Sequence, residues 1–155
     1  MKKSSVFIIA VFMVSFQACE TDKDDQSPSI SISLADAFPE NCDTIYLGHA
    51  FNFKAEFNDN VELGSYSLDI HNNFDHHTHS TDPSDCVLDP VKTPQNPWVF
   101  IQQFYIPDGT TTFLANDLIE VPDDIDPGDY HFYIRLTDKS GWQTIKGISI
   151  KILEK

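Results

Sequence analysis

Large apolar residues recur at every second position in a series of short segments, and this alternation constrains the chain more than any other feature. Residues 28–34 put Ile30, Ile32 and Leu34 on one face. Residues 50–57 do the same with Phe51, Phe53, Ala55 and Phe57. Residues 63–71 set Tyr66, Leu68 and Ile70 against Ser65, Ser67, Asp69 and His71. Residues 98–106 are apolar and aromatic, and 111–121 hold a weaker strand. Residues 130–136 alternate as Tyr130, Phe132, Ile134 and Leu136, and 142–153 keep Ile148, Ile150 and Ile152 in phase. Asn58-Asp59-Asn60 and Asp138-Lys139-Ser140-Gly141 are turn chemistry. A period of two at this spacing predicts an all-β fold, an antiparallel β-sandwich of about seven strands. No helical period of useful length competes with it.

The N-terminus reads differently. Lys2 and Lys3 precede residues 6–16, which are almost all apolar but too few to remain across a bilayer. Phe16-Gln17-Ala18-Cys19 follows and resembles the bacterial lipobox. That resemblance implies an export signal over 1–18 and a lipid on Cys19; an ordinary secretory signal with an incidental cysteine is the competing reading. Two or three acyl chains would hold the protein stably on a membrane. Residues 19–28 read as an acidic, solvated tether, and 29–155 as the folded domain. An acidic run after the lipidated cysteine resembles a sorting signal for the outer cell surface. The expected location is therefore the outer membrane, with surface exposure, unless the run is only a spacer.

Charge narrows the partners. Twenty-four acidic side chains face ten basic ones, and loss of Lys2 and Lys3 makes the mature chain more acidic still. Such a surface repels nucleic acid and anionic headgroups. A membrane reached through the lipid, a metal ion, or an unidentified protein or glycan remain as partners. Outside the cytoplasm Cys42 and Cys86 form an even pair, which favours a disulfide over two free thiols. Closing that span would stabilise the fold by about 4 kcal/mol in the chain-entropy picture.

Asp126-Pro127-Gly128-Asp129-Tyr130 leads straight into an alternating strand. It resembles the tyrosine corner of immunoglobulin-like sandwiches, in which a Tyr at the start of strand F bonds back to the preceding loop. On that basis the seven segments take the labels A to G. The chain also resembles a family of uncharacterised bacterial surface lipoproteins. The likeness rests on the lipobox, Phe57-Asn58-Asp59-Asn60, the segment from Ile70 through His79, and Gly128-Asp129-Tyr130-His131-Phe132. It implies an immunoglobulin-like domain and no particular activity.

Four of the six histidines, His71, His76, His77 and His79, fall within nine residues. In an immunoglobulin-like fold strand C ends where strand F begins, and the two are antiparallel neighbours. His71 closes C and His131 opens F, both out of phase with the core residues, so both should stand on an outer face at cross-strand distance. His49 opens strand B at the same end, and the loop with His76, His77 and His79 lies there too. The proposed disulfide would pin that loop. Neutral imidazoles are ligands for Zn²⁺, Cu²⁺ or Ni²⁺. The expected metal set is His71, His77, His79 and His131, with Zn or Cu as the cofactor and Asp69, Asp75 and Asp82 as further ligands or supporting partners. The alternative is a polar loop whose histidines serve only hydrogen bonds.

Asp59 and Asp138 should meet at the opposite end, where a Ca²⁺ site would need six to eight oxygens. Asp123, Asp124 and Asp126 form another acidic loop without calcium-loop spacing. Nucleophile elbows, phosphate loops and zinc-protease motifs are missing from the sequence, so no enzyme and no catalytic residue is expected. Trp98, Trp142 and Tyr133 offer either a sugar platform or packing. The reading is a lipid-anchored surface binding module for a transition metal, its histidine end facing away from the membrane. The alternative is a metal-free adhesion or accessory module for glycan or protein.

Overall fold

The computed structural model describes residues 24–79 and 86–155. The export signal, Cys19 and Asp82 lie outside the described residues. Among the described residues eight strands form two sheets: β1 (Ser29–Ser31), β2 (Thr44–Tyr46), β3 (Phe51–Asn58), β4 (Leu63–Asn72), β5 (Phe100–Tyr105), β6 (Thr112–Ile119), β7 (Gly128–Asp138) and β8 (Gln143–Leu153). The three-stranded sheet runs β1-β3-β6 and the five-stranded sheet β2-β8-β7-β4-β5. No helix occurs among the described residues. The all-β sandwich expected from the alternation is the fold observed.

The inward phase of each strand builds one core. Phe53 and Phe57 of β3 meet Phe132 and Tyr66 of the other sheet, with ring centroids at 5.8 and 4.8 Å. Phe53, Leu68, Ile70, Phe132, Ile134 and Leu136 are wholly buried. The Tyr66 hydroxyl crosses between the sheets to the Asp117 carboxylate. The tyrosine corner is present: the Tyr130 hydroxyl donates to the Asp126 carbonyl at 2.6 Å and accepts the Trp98 N–H at 3.2 Å. At the start of β4 the register shifts between Leu63 and Ser65. A Cβ on Gly64 would stand 2.9 Å from the Thr137 carbonyl oxygen, so the close approach there requires glycine.

Three features correct the sequence reading. Segment 98–106, labelled D and so expected on the sheet with A, B and E, instead pairs with β4 as β5 of the five-stranded sheet. Its Phe104 stacks on Tyr66 at 4.8 Å, and the long connection before it is tied to β7 through Asp89 N–H to Asp129 and Trp98 N–H to Tyr130. β4 and β5 are therefore neighbours in one sheet, and the next strand on the other sheet is β6. An eighth strand, β2, pairs parallel to β8 over three residues with only Ile45 buried, too short for a period to show. Lastly, the end of the supposed tether is docked. Asp24 is only 9 % exposed, and its carbonyl accepts the Trp142 indole N–H.

Cys42 and Cys86 are joined, with Cα atoms 5.3 Å apart. Cys42 N–H also bonds to the Ser149 carbonyl on β8, directly across from His131.

Replacing Tyr130 by Phe leaves the Trp98 N–H buried without its acceptor. The expected loss is about 1–3 kcal/mol. It should appear as a lower urea midpoint with an unchanged slope.

Candidate metal centre

The pairing of β4 with β7 places the first two imidazoles. Ile70 lies opposite Phe132, both in the core, and one step on His71 lies opposite His131. Successive side chains on a strand point to opposite faces, so both imidazoles stand outside. Their ring centroids are 5.5 Å apart. Tyr133, two residues beyond His131 and so on the same face, stacks under His71 at 5.6 Å.

The loop after β4 brings two more rings over this pair. Asn73 N–H bonds to the Asp129 carbonyl, and Phe74 buries itself edge-on against Tyr130 at 5.3 Å. Gly128 lies beneath at φ 134°, and a Cβ there would meet Phe74 at 3.0 Å. His76 takes a left-handed conformation, φ 58°, and its Nε2 lies 2.9 Å from the Asp89 carbonyl oxygen. That turn sends His77 and His79 back across the sheet.

The result is a cage of four imidazoles. His77 lies 5.8 Å from His71, 4.9 Å from His79 and 5.0 Å from His131, centroid to centroid. His79 lies 5.5 Å from His71 and 5.0 Å from His131. Four imidazoles bound through nitrogen to one tetrahedral Zn²⁺, with bonds of about 2.0–2.1 Å, would have centroids about 5.2 Å apart. His71, His77 and His79 each offer a ring nitrogen, all within 4.8 Å of one another, and can hold a metal ion. The Nε2 atoms of His71 and His79 face each other at 3.5 Å. The Nε2 of His131 instead faces the His77 carbonyl oxygen at 3.3 Å, so its ring closes the cage while that nitrogen is turned to the loop.

Two carboxylates set the tautomers. Asp69 Oδ1 lies 2.9 Å from His71 Nδ1, and Asp75 Oδ1 lies 2.5 Å from His77 Nδ1. An ionised carboxylate only accepts, so each Nδ1 carries the proton and each Nε2 keeps its lone pair. The bond to His77 holds the Asp75 carboxyl below its usual range. Burial pushes His131 down to about 4, and the neighbouring imidazoles add to this against the His77 backbone contact. His131 is therefore neutral near pH 7.

The remaining sequence candidates separate. His76 serves the loop, and His49 is exposed in a turn, its N–H bonded to the Tyr46 carbonyl. Trp98 is buried, Trp142 stands beside Asp24 and Tyr133 beneath the imidazoles, so they share no platform. Asp126 accepts the N–H groups of Gln95 and Asn96, a structural use of that acidic loop. Asp59 and Asp138 do meet at the far end of the sandwich, joined by Asp24 from the N-terminal segment. Tyr133 could have been found from its i+2 relation to His131; Asp24 had no periodic signal.

The profile of one protein family, described as a domain of unknown function (DUF4625), matches residues 16–153. No curated protein is matched by the sequence.

In the metal-free protein at neutral pH, long-range ¹H–¹⁵N correlation should show His71 and His77 with the proton on Nδ1. Asp69→Asn should redistribute the His71 tautomers while leaving His77 unchanged. Nε2–H tautomers at both positions in the unaltered protein would contradict the arrangement described.

Proposed function

The chain belongs to the family described as a domain of unknown function (DUF4625), a description that assigns no activity, and we propose that it is a binding module for a transition-metal ion. The observation that carries this reading is the four-imidazole cage, in which His71, His77 and His79 present converging nitrogens and His131 supplies the fourth ring. The lipobox-like Phe16-Gln17-Ala18-Cys19 supports placement on an outer membrane through a lipid on Cys19.

The donor set favours Zn²⁺. Near-tetrahedral imidazoles suit its lack of geometric preference, whereas Cu²⁺ and Ni²⁺ favour square or tetragonal fields. Asp69 and Asp75 would balance the two positive charges from behind the ligands. Three converging nitrogens leave one tetrahedral position for a water or a partner's donor, and the His131 ring, its Nε2 turned to the loop, stands beside it. A second reading, protein or glycan capture without metal, is favoured by one observation. Val99, Ile101 and Tyr105 lie 63, 71 and 80 % exposed along the β5 edge.

The protein should bind one equivalent of Zn²⁺, and free Zn²⁺ at a thousand times Kd should stabilise it by about 4 kcal/mol. His71→Ala and His77→Ala should remove stoichiometric binding, and Asp69→Asn should weaken it about 10–100-fold. Co²⁺ in place of Zn²⁺ should give tetrahedral visible bands that His131→Ala alters. A melting temperature indifferent to Zn²⁺ and Cu²⁺, with no metal retained, would refute the metal reading and leave the β5 edge as the working surface.

A further inference from the structure

At the end of the sandwich remote from the histidines, three carboxylates meet. Asp24 comes from the N-terminal segment, Asp59 from the β3–β4 turn and Asp138 from the last position of β7. Oxygens from the three lie within 4.8 Å of one another. In each residue one oxygen builds the loop around it. Asp24 Oδ1 accepts Gln26 N–H and Asn60 Nδ2. Asp59 Oδ2 accepts Val61 N–H and Glu62 N–H. Asp138 Oδ1 accepts Trp142 N–H.

The other oxygen of each is different. Asp24 Oδ2, Asp59 Oδ1 and Asp138 Oδ2 are buried and have no hydrogen-bond donor. Asp138 is only 4 % exposed as a residue. Among the described residues no ion pair reaches any of the three; nearby Lys139 is engaged with Asp108 at 2.5 Å. Buried carboxylate oxygens without donors are costly, and three together repel one another. The Gln26 N–H chiefly, and Asn60 to a lesser degree, hold the Asp24 carboxyl below its usual range against the effect of burial. A hydrogen-bonded loop cluster would have turned donors toward these oxygens; this one turns its donors to the opposite oxygens and leaves a pocket of negative charge.

We propose that Asp24, Asp59 and Asp138 bind a hard divalent cation, Ca²⁺, which fastens the N-terminal segment to the β3–β4 and β7–β8 turns. The donors are all oxygen, which excludes a thiolate- or imidazole-seeking metal. Ca²⁺ tolerates irregular geometry and takes six to eight oxygens, so water completes the shell, whereas Mg²⁺ demands a near-ideal octahedron. The site is independent of the histidine cage.

Trp142 provides the reporter, because its indole N–H bonds to the Asp24 carbonyl at 3.1 Å. Tb³⁺, a luminescent substitute for Ca²⁺, added to the full chain should emit on tryptophan excitation, saturate at one equivalent, and be displaced by Ca²⁺. Trp142→Phe should remove the emission. Asp138→Asn keeps the oxygen that accepts Trp142 N–H. It should weaken Ca²⁺ at least about tenfold, and with one repelling charge removed it should melt higher than the parent in chelator. If it does not fold, Asp24→Asn, which lies outside every strand, carries the same expectation. Asp108→Asn and His71→Ala should leave the emission unchanged. No saturable emission, emission that millimolar Ca²⁺ leaves in place, or equal Ca²⁺ affinity after Asp138→Asn or Asp24→Asn would each overturn the proposal.

Discussion

The register between β4 and β7 governs everything that the outer face of this sandwich can do. Ile70 opposite Phe132 and His71 opposite His131 are two consecutive rungs of one ladder. Burial of a side chain such as Ile70 or Phe132 favours folding by about 1.5–3 kcal/mol relative to exposure. A slip of one residue would exchange the faces, sending imidazoles into an apolar core and Ile70 into water. The hydrophobic effect thus positions two imidazoles side by side with no contribution from any ion. Their placement belongs to the fold and would survive the loss of a metal.

Polar bonding does the same for the loop above them. The Asp129 carbonyl anchors Asn73, its carboxylate anchors Asp89, and Lys151 pairs with Asp89 at 2.7 Å and with Asp129 at 3.4 Å. Phe74 fills the space over Gly128, where no larger residue fits. Such a loop loses little entropy when its rings converge on a ligand, which is the physical content of preorganisation. β7 links this end to the other, since it carries His131 near one terminus and Asp138 at the next. The two lie about 23 Å apart at the usual rise per residue.

Much of this was legible in the alternation alone. Phase identifies which residues of β3, β4, β7 and β8 face inward, and the same phase shows His71 and His131 facing out. The tyrosine corner at Tyr130 follows from its turn sequence. What could not be read is non-local. β5 joins the five-stranded sheet because its preceding loop is tethered to Asp129 and Tyr130, a fact of tertiary bonding rather than of period. β2 is three residues long, below the length at which alternation can register. Asp24 resembles every other acidic residue of a solvated segment until Trp142 and Asn60 are found beside it. His77 and His79 were readable as candidates by number, but their return over the sheet depends on the left-handed turn at His76, which nothing in the composition announces.

The bond between Cys42 and Cys86 limits how far the histidine loop can stray from the sheet. It closes a covalent ring that contains β3, β4, His71, His77 and His79, and it ties the far side of the histidine loop to the strand next to His131. While the thiols are reduced, the far side of that loop is held by Asp89 through its bonds to Asp129 and Lys151. Closing the bond shortens the free span between the two anchors, so the segment that carries His77 and His79 has fewer ways to leave the face it shares with His131.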